Sequence, residues 1–328
     1  MAGDNEVDWE NYELTSSDPR IEAEIEQLGK TFHQWWLPWS AGQPNWLWHY
    51  TDTEGFRAII TNGTLRLSHS RLLNDATESA LGWSRVTSEL DAEIASQVPL
   101  SEFFTMTKDV AGDVHGSYHY FVFSLSERDD SLSQWRAYGS GGAGYSLCFD
   151  GRRLAAERQD GDFMVVRLIY SEADHRRLIR DAINHTRGIF QQIIARNPPK
   201  KDQPGITHRV NVHLAQHLMR LSLLAKDTSF EDEKEWRLVV GYSPKSGQRD
   251  IDMLKKVCFR SGGGIARPYF DFDFKTEGED PDKTLPLRSV CYGPSLQPIT
   301  TEFSARFLLD QKGYTKIKVL KSSVPLQA

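Results

Sequence analysis

The chain has 328 residues, 39% hydrophobic and 26% charged, which suits a soluble globular protein with enough apolar surface for a substantial core. A formal charge of −6 excludes a global basic field that would draw it to nucleic acid or membrane, leaving only a local basic groove open. Its three cysteines stand in no metal-ligand spacing, its N-terminus carries acids where a signal peptide carries bases, and no apolar run reaches membrane-spanning length; a reducing cytoplasm, no metal and no membrane partner are expected.

Residues 1–30 hold nine acids against Arg20 and Lys30. Ile21, Ile25 and Leu28 recur at helical spacing, so a short amphipathic helix is expected within a lead-in, 1–45. Trp46 to Tyr50 reads as a buried strand, followed by a helix from Glu54 to Thr61 with Phe56, Ile59 and Ile60 as its apolar stripe. Thr51 or Asp52 can cap that helix, and Asn62-Gly63 stops it in left-handed conformation. Leu65 to Leu67 is a second strand. His49, at the end of the first, either looks into a cleft or is a satisfied structural histidine. Asn74 or Asp75 reads as the N-cap of the next helix, with Glu78 placed for a capping box. That helix N-terminus, with Arg71 nearby, also offers donors to a phosphate. The helix runs towards Ile94, and a poorly periodic segment extends to about Lys108.

Tyr120 to Ser126 and Tyr145 to Phe149 are strands. Between them, four glycines fall within the six residues 139–144 and fit a flexible hairpin or a close approach to a ligand. Arg136 and Tyr138 beside them offer a guanidinium for a diphosphate and an aromatic face for a flat ring. Phe163 to Tyr170 is a further strand. Two helices follow, striped by Ile179, Ile183, Phe190 and Ile193 and by Val210, Leu214 and Leu218. They read as a helical insertion at about 172–228 in a single domain, 46–328. Leu287 to Tyr292 is a strand, Ile299 to Leu309 a helix, and Lys316 to Leu320 a last strand whose alternating charges suit an edge. The pattern predicts an α+β fold with a mixed, twisted sheet.

The stretch from Phe230 to Val240 concentrates the chemistry. Trp236 to Val240 is an apolar strand broken only by Arg237. In extended chain Glu233 and Glu235 point to the same side and repel, which raises at least one carboxyl pKa. Glu235 is then either paired to an arginine at a polar strand edge or part of an active site.

Trp48-His49-Tyr50-Thr51, Asn62-Gly63-Thr64-Leu65, Asn74-Asp75 with Glu78, Ser133 to Gly139, Glu233 to Arg237 and Cys291 to Pro294, in that order, resemble the bacterial domain-of-unknown-function family numbered 2971. That family in turn resembles the ADP-ribosyltransferase fold, and the opening is most similar to DarT-type DNA-modifying toxins. The resemblance implies that His49, with Tyr50 and Thr51, holds the adenosine ribose of NAD. It implies an aromatic wall for the nicotinamide at Tyr138 or Tyr145, and Glu235 on the nicotinamide ribose. Glu233-Lys234-Glu235 has the Glu-x-Glu form of arginine-directed members. The Ser-Thr-Ser strand of many such enzymes is absent unless Ser124-Leu125-Ser126 substitutes for it.

The expected activity is therefore NAD-dependent ADP-ribosyl transfer to a protein or nucleic-acid acceptor, in a toxin or phage-defence setting by resemblance. NAD is the substrate and no metal is required. Glu235 would stabilise the oxocarbenium-like state and Glu233 would orient or deprotonate the acceptor. Arg136 and Arg71 would hold the diphosphate, and Asn74 would line the ligand cleft beside Arg71. The competing readings are a nucleotide-binding module without turnover and, with no acidic cluster at two-metal spacing, a nuclease.

Overall fold

The computed structural model describes residues 16–35, 44–73, 76–96, 100–156, 163–242, 248–273 and 285–325. They form two compact units interleaved along the sequence. One comprises residues up to Leu37, Ser79–Gly116 and Ser171–Ala225; the other comprises Pro38–Glu78, Ser117–Tyr170 and Lys226 onward. The helices read as an insertion at about 172–228 thus group with the helix of the lead-in and with 79–116, not with the strands of 46–328.

The first unit is helical. Pro19–Trp35 buries Ile21, Ile25 and Leu28, the stripe its spacing predicts, together with Phe32 one turn on. Glu172–Ala195 and Gln203–Ser222 bury Ile179, Ile183, Phe190, Ile193, Val210, Leu214 and Leu218. The poorly periodic segment is the helix Ser101–Ser117, whose buried side is Phe103, Phe104, Thr107, Ala111 and Val114. Thr107 hides the stripe in the sequence because it is polar; in the fold its hydroxyl donates to Asn211 Oδ1 at 2.7 Å, which satisfies it in the interior. Phe103 stacks on Phe190 with ring centroids 4.3 Å apart. Among the described residues no helix is long and apolar enough to cross a membrane.

The second unit is built on a ten-stranded sheet of the described residues. Its strands are β1 (Trp46–Thr51), β2 (Thr64–His69), β3 (His119–Ser126), β4 (Tyr145–Asp150), β5 (Phe163–Arg167), β6 (Glu235–Tyr242), β7 (Cys258–Gly262), β8 (Ile265–Asp273), β9 (Leu287–Tyr292) and β10 (Lys318–Lys321). The order is β10-β9-β4-β1-β3-β2-β8-β7, with β6 on β3 and β5 on β6. The β10–β9 pair is parallel and the others antiparallel, so the sheet is mixed and the fold α+β.

β3 organises this unit. β6 pairs with it from His119↔Tyr242 to Ser126↔Glu235. A strand has two edges, so β1 and β2 share the other. β2 meets it at Phe121 and Val122, and β1 at Ser126. Between those points the two strands diverge, and the sheet opens beside residues 123–125.

Local chemistry fixes the flanks of this opening. Asp52, not Thr51, caps the helix Thr53–Asn62, accepting from the Gly55 N–H at 2.7 Å; Gly63 ends the helix at φ 68°. Phe56, Ile59 and Ile60 then enter a core that includes Leu47, Leu65, Leu67, Phe121, Phe123, Leu147 and Trp236. Burying each large side chain contributes about 1.5–3 kcal/mol. The glycine-rich stretch is no hairpin. A short helix, Leu132–Ala137, leads through a 3-10 turn, Ser140–Gly142, into β4. A Cβ at Gly144 would lie 2.3 Å from the Thr51 carbonyl, so that glycine serves close packing of the chain on itself. Gly263 and Gly264, at φ 60° and 79°, make the two-residue turn of the β7–β8 hairpin, which apolar periodicity alone leaves unassigned.

Candidate functional site

A cavity of about 350 Å³ lies where β1 and β2 part from β3. β1 brings Trp48, His49 and Tyr50 to its wall, β3 brings Ser124 to Ser126, and β6 brings Glu235 and Arg237. Leu73, Gln134, Tyr138, Lys226, Phe230 and Glu233 complete it. A second hollow, about 670 Å³, lies between the helix Pro298–Gln311 and β10, lined by Ile299, Phe303 and Leu320 with Glu302, Arg306 and Lys318. It gathers none of the acid–base residues singled out in the sequence.

His49 shows how the divergence is sealed. Its Nδ1 lies 2.9 Å from the carbonyl oxygen of Ser124, on the stretch of β3 between the β1 and β2 registers. A carbonyl only accepts, so Nδ1 carries the proton and Nε2 is the acceptor the ring can offer. The ring stacks on Phe123 with centroids 4.1 Å apart. Burial pulls the imidazole pKa down to about 4, against the opposing effect of the Ser124 hydrogen bond, and keeps it neutral at physiological pH.

Four charged residues meet at the opposite wall. Asp227 accepts from the Ser229 N–H at 2.9 Å and opens a 3-10 turn, Thr228–Glu233. That turn brings Glu233 back to Lys226, seven residues earlier. Lys234 then takes a left-handed conformation, φ 45°, before β6 begins. The extended geometry expected for Glu233-Lys234-Glu235 is thus replaced by a kink, yet both carboxylates end on one partner. Lys226 Nζ donates to Glu233 Oε2 and to Glu235 Oε2. Glu235 Oε1 accepts from Arg237 Nε and from Ser124 Oγ, each at 2.8 Å. Tyr138 donates to Glu233 Oε1 at 2.9 Å.

Lys226, Glu235 and Arg237 are 3%, 4% and 5% exposed. Burial alone pushes the Glu235 carboxyl up. The charges and hydrogen bonds of Arg237 and Lys226 outweigh it and hold the carboxyl below its ordinary value, so Glu235 does not show the rise that Glu–Glu repulsion would produce. The Tyr138 phenol is pushed up by burial and by Glu233.

Of the residues singled out in the sequence, His49, Tyr50, Tyr138, Glu233 and Glu235 line the cavity. Tyr50 spends its hydroxyl on the neighbouring loop, donating to the Arg128 carbonyl at 3.0 Å and accepting from the Ser131 N–H at 3.1 Å. Thr51, Arg71 and Arg136 are not on the wall. A Cβ at Gly55 would sit 2.0 Å from Thr51 Oγ1, so Thr51 packs into the capping turn. Gln134 and Tyr138 stand four apart across the helix Leu132–Ala137 and share a face, which leaves exposed Arg136 on the other. Arg71 is exposed in the 3-10 turn Ser70–Leu72. Asn74 and Asp75 lie outside the described residues. Sequence reading missed Lys226, and it held Gln134 and Phe230 only as members of longer stretches, with no role of their own. Arg237 carried a signal, as the sole charge inside an apolar strand.

No curated protein and no solved structure matches the chain. Residues 134–238, the stretch that supplies Gln134, Tyr138, Lys226, Glu233, Glu235 and Arg237 to the cavity, match the family described as Protein of unknown function (DUF2971).

Proposed function

We propose that this chain is an NAD-dependent ADP-ribosyltransferase on an ADP-ribosyltransferase-like sheet. The observation that supports the reading is the convergence of His49, Ser124 and Glu235, from three successive neighbours β1, β3 and β6, on one cavity. Ser124-Leu125-Ser126 substitutes in this reading for the serine strand that the resemblance asks for, and Ser124 donates to Glu235. A carboxylate has about four lone-pair sites. Ser124, Arg237 and Lys226 fill three in Glu235. The fourth accepts a hydroxyl of the nicotinamide ribose.

The bond from ribose C1′ to the nicotinamide nitrogen breaks, and its electron pair leaves with the ring, neutralising the pyridinium. Glu235 stabilises the oxocarbenium-like charge left behind. The acceptor forms its bond at C1′ and gives its proton to Glu233. His49 Nε2 accepts from the adenosine ribose, and Tyr138 covers the nicotinamide. A cavity near the lower end of the usual range of about 300–1,000 Å³ takes part of a dinucleotide. The diphosphate lies outside it, along Arg71 to Leu73. The acceptor is a protein or a nucleic acid.

Glu235→Asp is the test. It keeps the charge that balances Lys226 and Arg237 but withdraws the carboxylate by one methylene, and a displacement near 1 Å costs about 10²-fold in turnover. Nicotinamide release should fall by about that factor while the melting temperature stays close to wild type. A wild-type chain that releases no nicotinamide, or an Asp variant that releases it at the wild-type rate, overturns the reading. The pairing of Glu235 with both Arg237 and Lys226 favours one alternative, a nucleotide-binding module without turnover; NAD binding without nicotinamide release selects it.

A further inference from the structure

Glu235 needs only one cation for neutrality, and Arg237 supplies it at Oε1. The second buried cation, Lys226, bridges from Glu235 Oε2 to Glu233 Oε2. We propose that Lys226 is a positioning residue that holds Glu233 and Glu235 together as an ionised pair, making both carboxylates available near neutral pH. The proposal rests on the transferase reading for its consequence in turnover, and on geometry for the pairing itself.

Lys226 is fixed from several sides. Its backbone N–H donates to the Ile169 carbonyl at 3.1 Å, and its ammonium lies 5.1 Å from the Phe230 ring centroid. The Glu235 backbone is pinned in turn, donating its N–H to Tyr170 Oη at 2.8 Å. The charged and titratable groups facing the bridge are Glu233, Glu235 and Arg237, with the phenols Tyr138 and Tyr170. Tyr138 donates to Glu233 but carries no charge to offset it. Take Lys226 away, and two carboxylates face one another with Arg237 as the remaining cation of this set. Carboxylates sharing a site in that way retain a proton between them. The proton disables one of the two roles the transfer requires, the base at Glu233 or the charge at Glu235.

The experiment compares wild type, Lys226→Met, Lys226→Arg and the double variant Lys226→Met/Glu233→Gln. Two readouts are taken: nicotinamide release from NAD across pH, and the carboxyl titration of ¹³C-glutamate-labelled protein by NMR. In Lys226→Met the acid limb of kcat should move up by about one pH unit or more, with KM for NAD changed less, and one carboxyl should titrate above the ordinary range. Lys226→Arg should restore the limb in part. The double variant removes the repulsion together with the cation, leaving Glu235 with Arg237, so Glu235 should titrate low again and stability should recover. That recovery keeps the test decisive if the single Met variant does not fold.

An unmoved limb and unmoved carboxyl titration in Lys226→Met overturn the proposal, as does a double variant less stable than the single one. The transferase reading is separable. A wild type without nicotinamide release, alongside a raised carboxyl in Lys226→Met, sinks the enzyme and keeps the bridge. Turnover that is sensitive to Glu235→Asp but indifferent to Lys226 keeps the enzyme and sinks the bridge.

Discussion

Two charged groups, one in each unit, are held in opposite ways. In the helical unit Arg209 pairs with Glu22 at 2.6 Å, the side chains 24% and 28% exposed. In the sheet unit Glu233, Lys226, Glu235 and Arg237 form one connected group, three of its four members almost wholly buried. Water stands in for a lost partner in the first arrangement and cannot do so in the second. The difference teaches where substitutions are tolerated. A pair at the surface is a local matter, worth about 0–1 kcal/mol. A buried group survives or fails as a set, because removing one charge leaves the others unbalanced in a poor dielectric.

The largest break in this contrast is Glu235→Gln. It keeps the shape but leaves Lys226 and Arg237 against Glu233 alone. Removing one partner of a buried pair costs about 3–5 kcal/mol, and we expect a loss of that size in chemical denaturation. A loss below about 1 kcal/mol would put the buried group on the footing of the surface pairs. The same reasoning makes Glu235→Gln a poor probe of chemistry, since it damages stability and transition state together.

How much of this was legible in the sequence depends on how far apart the partners stand. Strands showed as apolar runs and the helix Thr53–Asn62 as a cap, a stripe and a stop, because those signals are local. His49, Tyr138, Glu233 and Glu235 were legible as chemistry by residue type. Lys226 was not. It follows Leu223-Leu224-Ala225 with no motif around it; the turn Thr228–Glu233 and the pairing of β6 with β3 bring its carboxylate partners to it. Arg136 misled for the converse reason: adjacency in sequence suggested partnership with Tyr138, and one helical turn put the two on different faces. The mixed sheet was legible as a class, but the divergence of β1 and β2 from one edge of β3 was not, because registers between distant strands leave no trace in local pattern.

Acid should separate the two arrangements more gently. In the helical unit His175 is fully buried, with Nε2 donating to the Leu221 carbonyl at 2.8 Å and no partner at Nδ1, so burial pulls its pKa down to about 4. Its folded pKa lies below the unfolded value of 6.5, so the unfolded chain binds the extra proton as pH falls. Stability is therefore lost between pH 6.5 and about 4, at up to about 1.4 kcal/mol per pH unit from this one group. Glu235 has the opposite displacement from its own reference, a lowered carboxyl. Its contribution is present above the ordinary carboxylate value and is lost only as pH falls through the lowered one. From pH 7 to 5, His175→Gln should flatten part of the decline in urea midpoint, while the Glu235 group contributes no slope. An unchanged decline in His175→Gln would remove this assignment.

The smallest effect sharpens the comparison from the other side. Arg209 Nη1 donates to both carboxylate oxygens of Glu22, at 2.7 and 2.6 Å, closer than Arg237 Nε approaches Glu235 Oε1 at 2.8 Å. If short distances set the energy, Arg209→Gln would cost as much as Glu235→Gln. If burial sets it, the cost should be under about 1 kcal/mol, because roughly a quarter of each side chain remains in water, which rehydrates the freed Glu22 carboxylate. The neutral amide also retains a donor for that carboxylate and part of the stem that covers the helix surface. A double-mutant cycle with Glu22→Gln isolates the pair from the other contacts of Arg209. Coupling under about 1 kcal/mol, weakening further as salt is raised, is the expected result. Coupling above about 2 kcal/mol, insensitive to salt, would mean that this pair is held as tightly as the buried group in the sheet unit, and the distinction drawn between the two would fail.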